Sequence, residues 1–180
     1  MPLLSVVIAN YNYGRFLDAA ICSVLSQLGD GDAQVSAEKV ELIIIDGGSS
    51  DDSVGIIKGY SSCLAYWVSE PDKGQSNAFN KGFSRACGKF LTWLNADDIL
   101  TPGALRSIVN EIEKYPDCEW FVGSMVSTDE NLCVRECFCA HRFSTLMARC
   151  GRVSVGGPSS IFTKRLLNAV GGVDEGLHYV

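Results

Sequence analysis

Apolar runs alternate with amphipathic segments along the first two thirds of the chain. Runs that are too short for helices and rich in Val, Ile and Leu predict strands at 5–9, 40–46, 64–68, 89–94 and 119–123. Apolar residues at helical spacing predict helices at 15–27, 53–60, 75–87 and 103–115. Such alternation is typical of βαβ units. The pattern therefore predicts an α/β fold, with a mostly parallel sheet flanked by helices.

The last third of the chain is less regular. It predicts a hairpin over 126–138 that turns at Asp129-Glu130-Asn131, and a short helix over 143–150. A loop at 156–160 precedes the apolar pair Ile161-Phe162. A last helix over 164–170 is closed by Gly171-Gly172, a helix C-cap signal.

Composition narrows the class of protein. The chain has 180 residues, of which 47% are apolar and 20% charged, which fits one globular domain. A net charge of −6 argues against nucleic acid or an anionic membrane surface as the main partner. No apolar run approaches the ~20 residues that span a bilayer, so we predict no transmembrane segment. Residues 1–4 lack the basic start of a signal peptide, so we expect a cytoplasmic protein.

The eight cysteines are expected to be reduced thiols, several of them buried as small apolar groups. Cys133, Cys137 and Cys139 lie close together in the sequence. They lack a C-x-x-C pair and a suitably spaced histidine, so they indicate a zinc site only weakly.

Polar residues follow three of the predicted strands at the point where each strand ends. These segments are Asn10-Tyr11-Asn12, Asp46-Gly47-Gly48-Ser49 and Asn95-Ala96-Asp97-Asp98. The carboxyl ends of parallel strands meet at one edge of the sheet, where ligands bind in open α/β folds. Asp46 could accept hydrogen bonds from a base or ribose, and Tyr11 could stack on a base. An ordinary turn and a half-buried core tyrosine are the alternatives, but the convergence of all three loops favours a nucleotide site.

Asp97 and Asp98 are adjacent carboxylates that repel each other unless a cation or hydrogen-bond donors neutralise them. Their oxygens suit Mg²⁺ or Mn²⁺. Helix capping in front of the predicted helix at 103–115 is the alternative role.

The sequence has no G-x-G-x-x-G after the first strand, no P-loop motif and no G-x-S-x-G. Dinucleotide dehydrogenases, P-loop NTPases and α/β-hydrolases are therefore unsupported.

Four segments resemble the motifs of family 2 inverting glycosyltransferases with the GT-A fold, in the family's order. They are 5–12, 41–51, 70–82 and 93–98, the last resembling the D-x-D metal motif, and 171–175 resembles a later landmark. The chain departs from the family at Ala9 and Asn10, where Pro and then Thr or Ser are usual. It also has Asn95 in place of the first Asp of D-x-D.

The resemblance implies a GT-A-like (Rossmann-like) domain over 1–180, with a nucleotide-sugar-binding part at 1–123 and the start of an acceptor-side part at 124–180. It implies Mg²⁺ or Mn²⁺ as cofactor, held by Asp97 with help from Asp98. The residues that the resemblance implies for nucleotide-sugar binding are Ala9, Tyr11, Asn12, Asp46, Gly48, Ser49, Asp72, Lys73, Asn95, Ala96 and Asp97.

We also expect Asp46→Ala to weaken nucleotide binding with little loss of stability in the ligand-free chain.

The implied activity is inverting transfer of a sugar from a nucleotide-diphosphate-sugar to a hydroxyl of a carbohydrate or lipid-linked acceptor, in polysaccharide or glycoconjugate synthesis. A non-catalytic nucleotide-binding fragment and a sugar nucleotidyltransferase are the alternatives. Residues 176–180 contain no carboxylate, so we expect the general base beyond Val180, a truncated chain and poor transfer. A homo-oligomer and a place at the inner face of the membrane are further expectations.

Overall fold

The computed structural model describes residues 1–141, 144–150 and 157–176, apart from the side chains of residues 147 and 148. Six strands form one sheet in the order β3-β2-β1-β4-β8-β5. β1 pairs in parallel with β2 and β4, β2 pairs in parallel with β3, and β8 runs antiparallel to both β4 and β5. The strands of this sheet are β1 Leu4–Asn10, β2 Val40–Asp46, β3 Tyr66–Ser69, β4 Phe90–Asn95, β5 Trp120–Val122 and β8 Ser160–Thr163.

Helices cover both faces of the sheet. α1, α2 and α4 pack on one face, and α3 and α6 pack on the other. A separate antiparallel hairpin joins β6 to β7. The bounds are α1 Gly14–Leu25, α2 Ser53–Gly59, α3 Gln75–Arg85, α4 Ala104–Lys114, α5 Thr145–Arg149, α6 Lys164–Val170, β6 Met125–Thr128 and β7 Val134–Phe138.

The central strands are apolar almost throughout because both of their faces are buried. In β2, Leu42 and Ile44 join the core under α1, while Ile43 and Ile45 join the core under α3. Successive side chains of a strand point to opposite faces, so a continuous apolar run suits a strand that is covered on both sides.

The α/β fold and the mostly parallel sheet are confirmed, and the predicted elements of the first 123 residues agree to within a few residues. The predicted helix at 143–150 is observed at Thr145–Arg149, and residue 143 lies outside the described residues. The sequence prediction missed β8, which lies between β4 and β5 and is buried along its length. The sequence predicts a loop followed by Ile161-Phe162 there, because four residues carry too little pattern to reveal an antiparallel strand.

The cysteines correct an expectation. All eight are free, but seven are exposed and Cys118 is partly exposed, so the prediction that several are buried is wrong. Cys22 shows why, because it lies on α1 outside the buried stripe of Leu17, Ala20, Ile21 and Val24. Within the described ranges, no helix is long and apolar enough to cross a membrane.

α3 lies unusually close to the sheet at Gly82. A Cβ atom at this position would lie 2.3 Å from Cγ1 of Val7 on β1. Only glycine allows this approach, which sets the height of α3 above the carboxyl ends of β1 and β4.

We predict that Gly82→Ala destabilises the protein by about 1–3 kcal/mol, because the added methyl group overpacks the core between α3 and β1. Gly55→Ala in α2 is the matched control, since no described atom lies within 4 Å of its ideal Cβ. That control is expected to stabilise the protein by about 0.4–1 kcal/mol. Equal effects of the two substitutions in chemical denaturation would contradict this account of the packing.

Candidate functional site

A cavity of about 510 Å³ opens at the carboxyl edge of the parallel strands. Loops after β1 and β4 and the start of α3 form most of its wall, with Phe79 and Trp93 as apolar lining. The lining residues are Ala9, Asn10, Tyr11, Tyr13, Asp72, Gly74, Gln75, Ser76, Ala78, Phe79, Trp93, Asn95, Ala96, Asp97, Pro158 and Val173.

The loops after β1 and β2 are tied to each other by hydrogen bonds. The backbone N–H of Asn12 donates to Oγ of Ser49 over 2.8 Å, and Oδ1 of Asn12 accepts from the backbone N–H of Ser50 over 2.8 Å. Asn12 has a φ of 56°, in the left-handed region that Asn tolerates better than most residues. This loop conformation exposes Tyr11 and Tyr13 at the cavity.

Asp46 lies beneath the cavity wall and is fully buried. Its Oδ1 accepts from Nδ2 of Asn10 over 2.6 Å and from Oγ of Ser49 over 2.5 Å. Its Oδ2 accepts from the backbone N–H of Ser49 over 2.9 Å and from Oγ of Ser69 over 2.6 Å. Burial raises the pKa of the Asp46 carboxyl, but the hydrogen bonds that it accepts outweigh burial and hold the pKa below its usual value.

Gly47 lets two cavity side chains come close to the backbone. A Cβ at Gly47 would lie 2.7 Å from Oδ2 of Asp72 and 3.3 Å from the ring of Tyr11. Asp72 and Tyr11 therefore lie side by side over Gly47, where a larger residue would separate them.

The amino terminus of α3 forms one side of the cavity. Gly74 precedes the helix with a φ of 107°, and its N–H donates to Oδ1 of Asp72 over 2.8 Å. Gln75 and Ser76, the first residues of α3, both line the cavity. The first N–H groups of a helix lack intrahelical partners and carry partial positive charge, so this side of the cavity suits an anion.

The loop after β4 brings carboxylates to the opposite side. Asp97 is exposed at the cavity, and Asp98 is half-buried behind it. Nδ2 of Asn95 donates to Oδ2 of Asp98 over 2.7 Å, and Oδ1 of Asn95 accepts from Nε2 of Gln75 over 2.8 Å. Burial, followed by the charge of Asp97, raises the pKa of the Asp98 carboxyl. A cation would relieve this repulsion.

Asp97 and Asp98 are the two carboxylates that this loop offers to a metal ion. Within the described part of the chain, no three His, Cys, Asp or Glu side chains converge closely enough to hold an ion. Two carboxylates fit a Mg²⁺ or Mn²⁺ ion that takes its other oxygens from water and a phosphorylated ligand. Cys133, Cys137 and Cys139 lie in the described hairpin region and form no such group either.

The segment after α6 is fastened to α3 beside the cavity. Asn80 donates to the carbonyl of Val173 over 2.8 Å and accepts from its N–H over 2.9 Å. Asn80 and Asn77 also donate to the two carboxylate oxygens of Glu175. These hydrogen bonds hold the pKa of the Glu175 carboxyl below its ordinary value, which suits an anchor better than a proton acceptor.

Comparison with known proteins identifies the family and the fold of this chain. Residues 5–160 match the family described as Glycosyl transferase family 2. The chain belongs to glycosyl transferase family 2.

Curated relatives of this glycosyltransferase chain are longer than it is. An uncharacterized glycosyltransferase of Nostoc sp. is 37% identical over 109 residues, which cover 59% of this chain and 31% of the relative. An uncharacterized glycosyltransferase of Mycobacterium tuberculosis is 37% identical over 97 residues, which cover 54% of this chain and 34% of the relative. The matched region thus spans about a third of the length of these relatives.

Solved structures share the architecture. S. aureus TarS 1-349 superposes with a TM-score of 0.76 at 18% identity, over 99% of this chain and 52% of TarS. The TarS complex with UDP-GlcNAc gives a TM-score of 0.71 at 17% identity, over 93% of this chain and 47% of TarS. Mannosyltransferase PcManGT from Pyrobaculum calidifontis, in complex with GDP-Man and Mn²⁺, gives 0.67 at 18% identity, over 98% of this chain and 48% of PcManGT. The predicted GT-A-like fold is confirmed.

Some of the predicted site residues of this family 2 chain line the cavity, and the others lie outside its wall. Those in the cavity wall are Ala9, Tyr11, Asp72, Asn95, Ala96 and Asp97. Those outside the wall are Asn12, Asp46, Gly48, Ser49, Lys73 and Asp98. Their roles toward a ligand stay predictions.

Several cavity residues escaped the sequence prediction. Gln75 and Ser76 belong to a segment that already resembled a family motif, so their place at a helix start was a usable signal. Pro158 and Val173 come from the last third of the chain, and only the tertiary fold brings them to the cavity. Asn10 belongs to a polar segment predicted at this edge of the sheet, but the resemblance gives it no role because it departs from the family pattern.

We predict that Asp46→Ala destabilises the ligand-free protein by about 2–4 kcal/mol, because it leaves the buried amide of Asn10 and the half-buried hydroxyls of Ser49 and Ser69 without their acceptor. This prediction replaces the sequence-based expectation of little change in stability, because the structure buries Asp46 completely. A carboxyl whose pKa is lowered by folding stabilises the native state above its unfolded pKa of 3.8. That contribution is lost as the pH falls below 3.8. The difference in the free energy of unfolding between wild type and Asp46→Ala should therefore become smaller at such pH.

Urea unfolding across pH measures this effect, with the exposed Asp32→Ala as a control that is expected to change stability little. A wild-type free energy of unfolding for Asp46→Ala at neutral pH would show that the buried carboxylate does not stabilise the fold.

Proposed function

We propose that this chain binds a nucleotide-diphosphate-sugar in the cavity at the carboxyl edge of β1 and β4, as the donor for sugar transfer. The observation that carries the proposal is the meeting, around one cavity, of exposed aromatic rings, a helix amino terminus and an exposed carboxylate. These groups match the base, the diphosphate and a diphosphate-bound cation. Family membership and the fold shared with nucleotide-sugar complexes support it.

Each part of the donor has a complementary surface. The ring of Tyr11 offers a stacking face for a base, and Asp72 beside it offers acceptors for ribose hydroxyls. The amino terminus of α3 favours the negative charge of the diphosphate. Phe79 and Trp93, whose ring centroids lie 5.5 Å apart, give a rigid apolar wall that limits where the sugar can lie.

Asp97, with Asp98 behind it, would hold Mg²⁺ or Mn²⁺. When bound, the ion supplies Lewis-acid stabilisation of the negative charge that develops on the departing diphosphate. Asn95 has both ends of its amide engaged, by Gln75 and by Asp98, so it fixes the loop rather than serving as a ligand. The Mn²⁺ in the PcManGT complex supports the choice of metal.

The proposed reaction is inverting transfer. An acceptor hydroxyl attacks the anomeric carbon from the face opposite the diphosphate, and its oxygen forms the new glycosidic bond. The bond from the anomeric carbon to the diphosphate oxygen breaks, and its electron pair leaves with the nucleoside diphosphate. The hydroxyl proton passes to a general base. We do not assign this role to Glu175, whose carboxylate is held by Asn77 and Asn80.

The part of the chain after residue 123 is proposed to begin the acceptor side. The proposal is supported by Pro158 and Val173, which line the same cavity as the residues proposed to bind the donor. The acceptor is a carbohydrate or lipid-linked hydroxyl, in polysaccharide or glycoconjugate synthesis. Membership of family 2 disfavours the alternative of a sugar nucleotidyltransferase.

We predict that Asp97→Asn weakens Mn²⁺-dependent binding of UDP by about tenfold or more, because a neutral amide is a poorer ligand for a hard cation. Isothermal titration with UDP, with and without Mn²⁺, measures the change. Asp117→Asn makes the same change in charge at an exposed residue at the opposite edge of the sheet, and should leave the affinity unchanged. Equal affinities of wild type and Asp97→Asn for UDP with Mn²⁺ would overturn the metal assignment.

A further inference from the structure

Asn10 lies at the end of β1 and belongs to the cavity wall, although only 4% of its surface is exposed. It is therefore a buried amide whose hydrogen bonds must come from its immediate neighbours or from whatever enters the cavity.

The orientation of this amide is fixed by its neighbours. Nδ2 of Asn10 donates to Oδ1 of Asp46 over 2.6 Å and to Oγ of Ser49 over 3.2 Å. A carboxylate can only accept, and its lowered pKa keeps Asp46 ionised. The hydroxyl hydrogen of Ser49 is already committed to Asp46. If the Asn10 amide were flipped, its oxygen would face two acceptors, Oδ1 of Asp46 and Oγ of Ser49. Nδ2 must therefore face Asp46.

The other end of the amide is left without a donor. Oδ1 of Asn10 is buried and accepts no hydrogen bond from any residue that the structure describes. A buried carbonyl oxygen without a partner is costly, and water does not compensate an atom that is sealed from solvent. Because Asn10 belongs to the cavity wall, its unpaired oxygen indicates a ligand that donates a hydrogen bond.

We propose that Oδ1 of Asn10 accepts a hydrogen bond from the nucleoside part of the donor, and that Asp46 is a positioning residue that acts through Asn10. This inference rests on the proposed function and adds to it a chemical criterion for the nucleotide. Asp46 is thereby given a role different from direct contact with the base, because all of its neighbouring donors are protein groups.

The criterion is a hydrogen-bond donor at the one position of the nucleoside that faces Oδ1 of Asn10. The imide N–H of uracil supplies one, whereas the same ring position of cytosine is an acceptor and would face Oδ1 as a second acceptor. A ribose hydroxyl is the other source of the same chemistry. A site that is built to pair one polar group rejects the analogue that lacks its partner, since the buried group is then left unpaired.

Oδ1 of Asn10 is sealed in the ligand-free chain, so a ligand reaches it only if a residue of the cavity wall shifts. Tyr11 follows Asn10 in the chain and has 60% of its surface exposed, so its ring is accessible to a base. A base that stacks on Tyr11 would lie next to Asn10.

The test compares affinities for UDP, CDP, 3-methyl-UDP and 2′-deoxy-UDP by isothermal titration in the presence of Mn²⁺. Wild type should bind UDP roughly 10- to 100-fold more tightly than an analogue that lacks the donor. This arm needs no variant. Asn10→Ala should reduce that preference to within about threefold, because the acceptor is gone. Asp46→Asn should also erode it, because Asn10 is then free to flip.

Ser50→Ala is the control in the same pair of loops, since Ser50 contacts Asn12 and not the Asn10 amide, and it should keep the wild-type preference. If Asn10→Ala no longer prefers UDP over CDP and 3-methyl-UDP, the donor is the imide N–H. If Asn10→Ala no longer prefers UDP over 2′-deoxy-UDP, the donor is the ribose hydroxyl. Folded Asn10→Ala with every preference intact would overturn the proposal while nucleotide binding stands. A wild-type chain that binds none of these nucleotides would refute the proposed function as well.

Discussion

The carboxylate of Asp46 is the tie on which the rest of the site depends. It accepts hydrogen bonds from Asn10 at the end of β1, from Ser49 just after β2 and from Ser69 at the end of β3. Three neighbouring strands are thereby fastened together at the edge where their loops diverge. A buried charge is tolerated only when its oxygens are satisfied by donors, and here donors surround it. The loops that line the cavity therefore begin at strand ends that are held in place.

A second constraint sets the opposite side of the cavity. Gly82 brings α3 down onto β1, and the Phe79 and Phe83 rings of α3 pack against Trp93 of β4. The amino terminus of α3 is thus held level with the loop after β4, where Gln75 reaches Asn95. The positive end of the helix and the carboxylate of Asp97 face one cavity because the same packing positions both. Binding groups of opposite charge can then act on one phosphorylated ligand.

Much of this arrangement could be predicted from sequence because it depends on local patterns. Continuous apolar runs such as 40–46 predict parallel strands, and polar residues at their ends predict a site at one edge. What could not be predicted depends on distant contacts. β8 is recognisable only by its partners β4 and β5, and Val173 reaches the cavity only because Asn80 fastens its segment to α3. The burial of Asp46 was equally hidden, since an aspartate at a strand end has the same sequence signature whether it faces a ligand or its neighbours.

The central claim is that this edge of the sheet binds a nucleoside diphosphate with a divalent cation. A crystal structure of the chain with UDP and Mn²⁺ tests it most directly. The account predicts the diphosphate at the start of α3, beside Gln75 and Ser76, with the ion about 2.0–2.6 Å from an oxygen of Asp97. Nucleotide bound instead at the opposite edge of the sheet, in the cleft that Lys89 and Lys164 line, or an ion held away from Asp97, would contradict it.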